Sequence, residues 1–221
     1  MNIELQKTIV ITGHYGSGKT NLALNLAIYF RDMGESVTLA DLDIVNPYFR
    51  TADYHDLIEQ RGITVVASDY AGSTLDIPAL SGKLDAVIGK EGVLIIDVGG
   101  DEVGAHVLGR YTPSIRMTDY SMLYVVNRYR YLMGDQNESI SLLHEIEKAS
   151  RLQVTALVNC SNLGRETTLE AVNASCQYVE GISKQTQLPI SFTTVSKQLL
   201  NEGNKYENVF PVEILVKVPW E

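Results

Sequence analysis

The chain has 221 residues, of which 45% are hydrophobic, and a formal net charge of −9 at pH 7. This length and apolar content exclude a disordered chain and predict one globular domain over residues 1–221 with a large core. The acidic charge disfavours a nucleic-acid partner, because phosphate backbones are bound mainly by clusters of Lys and Arg.

Seven apolar, β-branched runs predict strands, and most are separated by segments long enough for helices. The runs are Thr8–Thr12, Val37–Ala40, Ile63–Ala67, Val93–Ile96, Met122–Val126, Val154–Val158 and Ile190–Val195. Helices are predicted at Asn21–Met33, Pro78–Gly89, Gln136–Arg151 and Arg165–Gln187. Strands that alternate with helices predict a three-layer α/β/α fold with a mostly parallel central sheet.

A glycine-rich segment follows the first strand, and we call residues 13–20 the phosphate loop. Its sequence GHYGSGKT satisfies the pattern G-x-x-x-x-G-K-[ST] and leads into a predicted helix. Glycines allow a tight turn whose N–H groups point at phosphates, and the helix dipole adds to the attraction. The phosphate-binding residues expected here are Gly13, His14, Gly16, Ser17, Gly18, Lys19, Thr20 and Asn21. Lys19 is expected on the β and γ oxygens and Thr20 on Mg²⁺.

Two carboxylates follow the second strand, at Asp41 and Asp43. The carboxyl ends of parallel strands face the ligand crevice, and residues two apart in an extended chain share a side. One carboxylate is expected to assist the Mg²⁺ shell and the other to orient a water for attack on the γ-phosphorus. A capping or turn role is the alternative for this pair.

The fourth apolar run delivers Asp97 at its end, as a Walker B strand does, and continues as Val98-Gly99-Gly100. Asp97 is expected to bind Mg²⁺ through a water. The two glycines allow the backbone to approach or leave a γ-phosphate, so this D-x-x-G segment is a candidate sensor of the nucleotide state.

With these three segments, the chain resembles the MinD/ParA group of SIMIBI-class P-loop ATPases over roughly residues 7–160. The resemblance implies that the phosphate loop binds Mg-ATP, that Asp43 positions the attacking water, and that Asp97 and Gly100 belong to switch II. One position departs from the group. Where the group often carries a second, signature lysine that reaches across a dimer, this chain has His14, which either binds phosphate as imidazolium or is an ordinary loop residue. An ATP-driven homodimer therefore remains open.

The same resemblance places an adenine-reading asparagine after a later strand, and Leu157-Val158-Asn159 stands at a matching place. An amide offers both a donor and an acceptor, which suits the adenine edge. The N-K-x-D sequence of guanine specificity is absent, so ATP is favoured over GTP. The alternative for Asn159 is an ordinary turn residue.

The favoured function is a regulatory or assembly ATPase that ATP switches and that an unidentified protein partner senses. The alternative is an ATP-dependent small-molecule kinase or synthetase, which needs a second pocket, for which Tyr111–Thr118 is a candidate, and commonly a lid with an arginine. The candidate lid arginines are Arg50, Arg110, Arg116, Arg128 and Arg130. A third function, nucleotide binding without turnover, would require a misplaced Asp43.

The first seven residues lack the features of a signal peptide, and no apolar run reaches the roughly 18 residues that span a bilayer. We therefore expect a cytoplasmic protein without membrane association. The terminal segment Phe210–Glu221 alternates like an edge strand and is not a basic amphipathic helix. Cys160 and Cys176 lack C-x-x-C spacing, which predicts reduced thiols and gives little support to a role in metal-cluster assembly.

Overall fold

The computed structural model describes residues 3–43, 54–66, 82–100, 102–131, 133–200 and 208–216. Four expectations lie wholly or partly outside these residues. They concern Arg50, the end of the strand Ile63–Ala67, the first part of the helix Pro78–Gly89, and the last residues of Phe210–Glu221.

Eight strands and eight helices are found in the described residues. The strands are β1 (Thr8–Gly13), β2 (Val37–Leu42), β3 (Thr64–Val66), β4 (Val93–Val98), β5 (Tyr120–Val126), β6 (Ala156–Asn159), β7 (Ile190–Ser196) and β8 (Val209–Val212). The helices are α1 (Lys19–Asp32), α2 (His55–Glu59), α3 (82–85), α4 (Glu102–Leu108), α5 (Thr112–Ile115), α6 (Gln136–Ser150), α7 (Leu169–Thr186) and α8 (Lys197–Leu200). A 3₁₀ turn occupies Gly164–Glu166.

The strands form one sheet in the order β3-β2-β4-β1-β5-β6-β7-β8, and every pairing is parallel. This confirms the predicted three-layer α/β/α fold. Because β1 lies between β4 and β5, the segments that follow these three strands emerge side by side at one edge of the sheet.

Both faces of the sheet are buried, since successive side chains along each central strand enter two different apolar clusters. Ile9 and Ile11 of β1 pack on the face that α1 covers, whereas Val10 between them packs on the face that α4 to α7 cover. This explains why the strands appear in the sequence as continuous apolar runs.

Several predicted boundaries need correction. In the described part of the predicted helix Pro78–Gly89, residues 82–85 are helical and residues 86–89 form turns. The helix predicted at Arg165–Gln187 begins only at Leu169, because the Thr168 side chain accepts the backbone N–H of Ala171 and caps it. The strand predicted at Val154–Val158 begins at Ala156, and just before it the Thr155 hydroxyl, in place of a backbone carbonyl, accepts the backbone N–H of Met122.

Of the edge strand predicted over Phe210–Glu221, β8 confirms Phe210–Val212, whereas residues 213–216 leave the sheet and run along α1. The Asn25 side chain accepts the backbone N–H of Glu213 at 2.8 Å and donates to its carbonyl at 2.9 Å. One turn earlier, the Asn21 amide oxygen accepts from Leu215 at 2.8 Å. The end of the described chain is thus fixed to the helix that the phosphate loop begins. In the part of the chain that the structure describes, no helix has the length and apolarity to cross a membrane.

We expect Asn25→Ala to lower the free energy of unfolding by about 1–3 kcal/mol, because Asn25 is buried and its loss leaves the Glu213 backbone groups without their partners. Urea unfolding followed by circular dichroism measures the change. The matched control is Asn173→Ala, at an exposed position of α7, which should change stability by less than about 0.5 kcal/mol. Equal effects of the two substitutions would contradict the assigned contact.

Candidate functional site

The phosphate loop joins β1 to α1, and its glycines have backbone conformations that other residues rarely adopt. Gly13 has φ 141°, and a Cβ there would lie 2.4 Å from the Val125 carbonyl oxygen of β5. Gly18 has φ 102° and is the N-cap of α1. The loop therefore lies directly against β5 and presents the start of a fourteen-residue helix at the sheet edge.

Lys19 is buried within this loop and donates from Nζ to the His14 carbonyl at 3.0 Å. The segment after β4 closes over the same point. A Cβ on Gly100 would lie 2.6 Å from the Tyr15 backbone and 2.7 Å from Lys19 Nζ. The structure thus brings two predicted motifs, the phosphate loop and the D-x-x-G segment, into direct backbone contact.

The predicted acidic residues converge beside the loop. Asp41 and Asp97 are register partners on β2 and β4, and both are buried. The Asp41 carboxylate accepts the backbone N–H of Asp43 at 2.9 Å, which fixes the end of β2. A Cβ on Gly99 would lie 3.2 Å from Asp43 Oδ1, so the D-x-D and D-x-x-G segments also touch.

Several buried polar atoms at the loop have no hydrogen-bond partner among the described residues. They are Thr12 Oγ1, His14 Nδ1, Ser17 Oγ and, at the end of β5, Asn127 Nδ2. Buried polar groups are nearly always paired in native proteins, so unpaired ones call for a ligand or water. Together with a cradle that has no room for side chains at Gly13 and Gly100, these atoms fit a polyphosphate ligand.

The surroundings of His14 disfavour its charged form in the ligand-free chain. Burial lowers its pKa below 6.5, an effect that its hydrogen bond to Tyr15 opposes and the nearby cations Lys19 and Arg130 reinforce. The imidazole is neutral at pH 7. A bound phosphate would raise this pKa again, so both roles left open by the sequence, the imidazolium on phosphate and the ordinary loop residue, stay predictions.

Two predicted ligand residues have their amides engaged within the protein. Asn21 bonds to the segment after β8, as described above. Asn159 is buried, donates to Ser175 at 2.9 Å and accepts from the Ser161 backbone at 3.1 Å. These bonds match the alternative in which Asn159 stabilises its own turn, and reading of a base by this amide remains a prediction.

The candidate lid arginines are distributed around the molecule, and Arg130 lies against the phosphate loop. Arg116 donates to the Arg151 carbonyl and Arg128 to the Ala174 carbonyl, while Arg110 is exposed after α4. The segment Tyr111–Thr118 precedes β5 and therefore lies at the opposite edge of the sheet from the phosphate loop. It cannot line a pocket shared with that loop.

Asn127 was not among the predicted site residues, and Arg130 was predicted only as one of five candidate lid arginines. Neither residue belongs to a recognisable motif, and the signal that would have found them is the strand order. Once β5 is known to neighbour β1, the polar residues that follow β5 must lie beside the phosphate loop.

Neither cysteine forms a disulfide. Cys160 lies behind the loop, where a Cβ on Gly18 would be 3.7 Å from its Cβ, and burial raises its pKa to about 12. Its thiol therefore stays protonated. No group of three His, Cys, Asp or Glu side chains in the described ranges is arranged to hold a metal ion by itself.

Neither the family models nor the curated proteins include a match to this chain. Solved structures do match its fold. FtsY, the cell division protein from Thermotoga maritima, is similar with a TM-score of 0.59 and 21% identity, covering 96% of this chain and 69% of that chain. The chloroplast FtsY from Physcomitrella patens has a TM-score of 0.60 and 17% identity, covering 87% and 61%.

A third similar structure is the signal recognition particle 54 kDa protein from Aeropyrum pernix in complex with GDP, with a TM-score of 0.57 and 15% identity. It covers 87% of this chain and 42% of that chain. These neighbours belong to the SIMIBI class of P-loop proteins, and at these identities they establish the fold. They do not support the narrower MinD/ParA resemblance.

We expect Gly13→Ala to destabilise the chain by about 2 kcal/mol or more, because the new Cβ meets the Val125 carbonyl and the backbone conformation is strained. Thermal and urea unfolding measure the loss. Gly134→Ala is the matched control, since a Cβ there has nothing within 4 Å, and it should change stability by less than about 1 kcal/mol. A Gly13→Ala chain as stable as this control would refute the close approach of β1 and β5.

The lowered His14 pKa makes a pH-dependent contribution to stability. The unfolded chain takes up its proton near pH 6.5 and the folded chain only at lower pH, so this contribution is complete above 6.5 and is lost as pH falls. The His14→Gln chain should lose less stability than the wild type on acidification in this window. A His14 titration by NMR with a midpoint above 6.5 would contradict the assignment.

Proposed function

We propose that this protein is a Mg-ATP-dependent molecular switch that hydrolyses ATP at the phosphate loop. The observation that carries the proposal is the meeting of Lys19, Asp43 and the Gly99–Gly100 segment at one point of the sheet edge. A cation, a carboxylate and a mobile glycine backbone are the groups that a phosphoryl-transfer switch requires together.

Each residue has a separate role in this proposal. The N–H groups of the phosphate loop and the start of α1 bind the β- and γ-phosphates, and Lys19 stabilises the charge that develops between them. Thr20 would offer its hydroxyl to Mg²⁺ and Asp97 would hold the ion through a water, and the ion would neutralise phosphate charge. Asp43, next to Gly99, orients the attacking water.

The contact between Gly100 and the Tyr15 backbone supplies the switching element. A γ-phosphate that enters beside Lys19 must share the space with Gly100, so the segment after β4 takes different positions with triphosphate and diphosphate. Exposed apolar side chains occur at Tyr15 itself, at Val103 three residues after Gly100, and at Tyr131 directly after Arg130, which are 49%, 51% and 85% exposed. A protein partner that contacts these side chains would sense the nucleotide state.

The choice of ATP over GTP rests on the absence of an N-K-x-D sequence and stays part of the proposal. Two of the similar solved structures are in complex with GDP, which makes GTP the nucleotide to compare. The kinase alternative loses one support, because Tyr111–Thr118 lies at the far edge of the sheet.

We expect Lys19→Ala to abolish Mg-ATP hydrolysis and Asp43→Ala to retain nucleotide binding while turnover falls by about 10²-fold or more. Phosphate release and equilibrium binding measure the two effects separately. Lys148→Ala, an exposed lysine on α6, is the control and should keep wild-type activity. Full activity in both site variants would refute the assignment of the site.

The oligomeric response to nucleotide distinguishes a dimerising switch from a kinase. Light scattering on the Asp43→Ala chain, with Mg-ATP and with Mg-ADP, measures the solution mass. A doubling with Mg-ATP alone supports a homodimer gated by the triphosphate. A mass that is the same with both nucleotides excludes this mechanism and leaves a monomeric switch or a transferase.

A further inference from the structure

The segment after β5 forms a second wall of the phosphate site. Gly13 and Val125 are register partners, so residues 127–131, which we call the β5 loop, run beside the phosphate loop. The side chain that reaches it is Arg130. Its Nε and Cζ atoms lie 3.4 and 3.5 Å from the position that a Cβ on Gly16 would occupy.

The backbone of the β5 loop is fixed by an Asn-centred turn. The buried Asn127 side chain accepts the Tyr129 N–H at 3.1 Å and the Asn162 N–H at 3.4 Å, and its carbonyl accepts the Arg130 N–H at 3.2 Å. Met133 N–H in turn donates to the Arg130 carbonyl at 3.0 Å. The placement of Arg130 over Gly16 is therefore determined by its own loop, and the unpaired Asn127 Nδ2 belongs to the same turn.

Arg130 differs from the neighbouring Arg128 in what its guanidinium contacts. Arg128 donates to the Ala174 carbonyl at 2.7 Å and lies 5.6 Å from the centres of the Tyr129 and Tyr178 rings, so α7 and these rings hold it. Arg130 is exposed, and its guanidinium has no hydrogen-bond or carboxylate partner in the described portion of the chain. It is a permanent cation that is available to an anion at the phosphate loop.

The charge of the proposed ligand requires such a cation. One divalent ion and one lysine leave a nucleoside triphosphate with residual negative charge. An arginine offers a planar fork that matches the oxygens of a phosphate group. Among the described residues, Lys19 and Arg130 are the two permanent cations that contact the phosphate loop.

We propose that Arg130 binds the terminal phosphate of the nucleoside triphosphate in the same chain that supplies the phosphate loop, and so stabilises the charge of the reacting phosphoryl group. This inference rests on the function proposed above and adds a residue that no motif assigns. With Arg130 in this role, one chain supplies both permanent cations of its own nucleotide site and needs no arginine or lysine from a second copy.

The test compares a non-hydrolysable triphosphate analogue with ADP, both with Mg²⁺, by calorimetric titration of four chains: wild type, Arg130→Gln, Arg130→Lys and Arg128→Gln. We expect Arg130→Gln to weaken binding of the triphosphate analogue about tenfold or more and binding of ADP less than about twofold. Arg130→Lys should restore part of the loss, since it keeps the charge without the fork. Arg128→Gln, which removes a cation two residues away, should leave the ratio of the two affinities unchanged.

The outcomes separate this inference from the proposed function. If wild type binds both nucleotides, Lys19→Ala does not, and Arg130→Gln binds like wild type, the function stands and the role of Arg130 is refuted. If Arg130→Gln weakens binding of the triphosphate analogue and of ADP equally, a contact with the terminal phosphate is refuted. Absence of binding to the wild-type chain refutes the function and the inference together.

A mixing experiment tests whether Arg130 acts in its own chain. Lys19→Ala and Arg130→Gln chains are combined in equal amounts and ATP hydrolysis is measured against each alone. If Arg130 acts within its chain, the mixture hydrolyses ATP no faster than the average of the two. Recovery of about a quarter or more of wild-type turnover would show that the arginine comes from a second copy.

Discussion

The register of β1 with β4 and β5 places every other part of the site. Parallel pairing on both sides of β1 brings the carboxyl ends of three strands to one sheet edge, so the loops that follow them must touch. Gly13 shows how close the approach is, because the Val125 carbonyl occupies the space of its missing side chain. Gly100 meets the Tyr15 backbone from the other side. The phosphate loop therefore lies between the Gly99–Gly100 segment on one flank and Arg130 of the β5 loop on the other.

Acidic and basic side chains lie on different sides of this sheet edge. Asp41 and Asp97 are buried on the β2 and β4 side, whereas Lys19 and Arg130 contact the loop itself. Acidic groups beside a metal and cations beside phosphates are the separation that phosphoryl transfer requires. Burial, and to a smaller extent the two nearby cations, lower the pKa of His14 in the ligand-free chain. The Asn21 and Asn25 side chains accept hydrogen bonds from the segment after β8 and so fix that segment to α1 behind the loop.

The sequence predicted the layers of the fold, the phosphate loop and the acidic strand ends, because each has a local signature of period, glycine spacing or charge. It did not predict the short helices α2, α5 and α8, whose few residues carry no periodic signal. The sequence did not distinguish Arg130 from the other four candidate arginines. Its position beside the phosphate loop depends on strand order, which local patterns do not encode. The partners of Asn21 and Asn159 were hidden for the same reason, because they lie 192 and 16 residues away along the chain.

The central claim, that this sheet edge binds a magnesium nucleoside triphosphate, is tested most directly by calorimetric titration of the wild-type chain with ATP and GTP analogues, with and without Mg²⁺. We expect saturable binding of the ATP analogue with a dissociation constant on the order of 1 mM or tighter. This binding should require Mg²⁺, and binding of the GTP analogue should be weaker. Saturable binding of GTP alone would contradict the nucleotide assignment. No saturable binding of either triphosphate would contradict the claim itself.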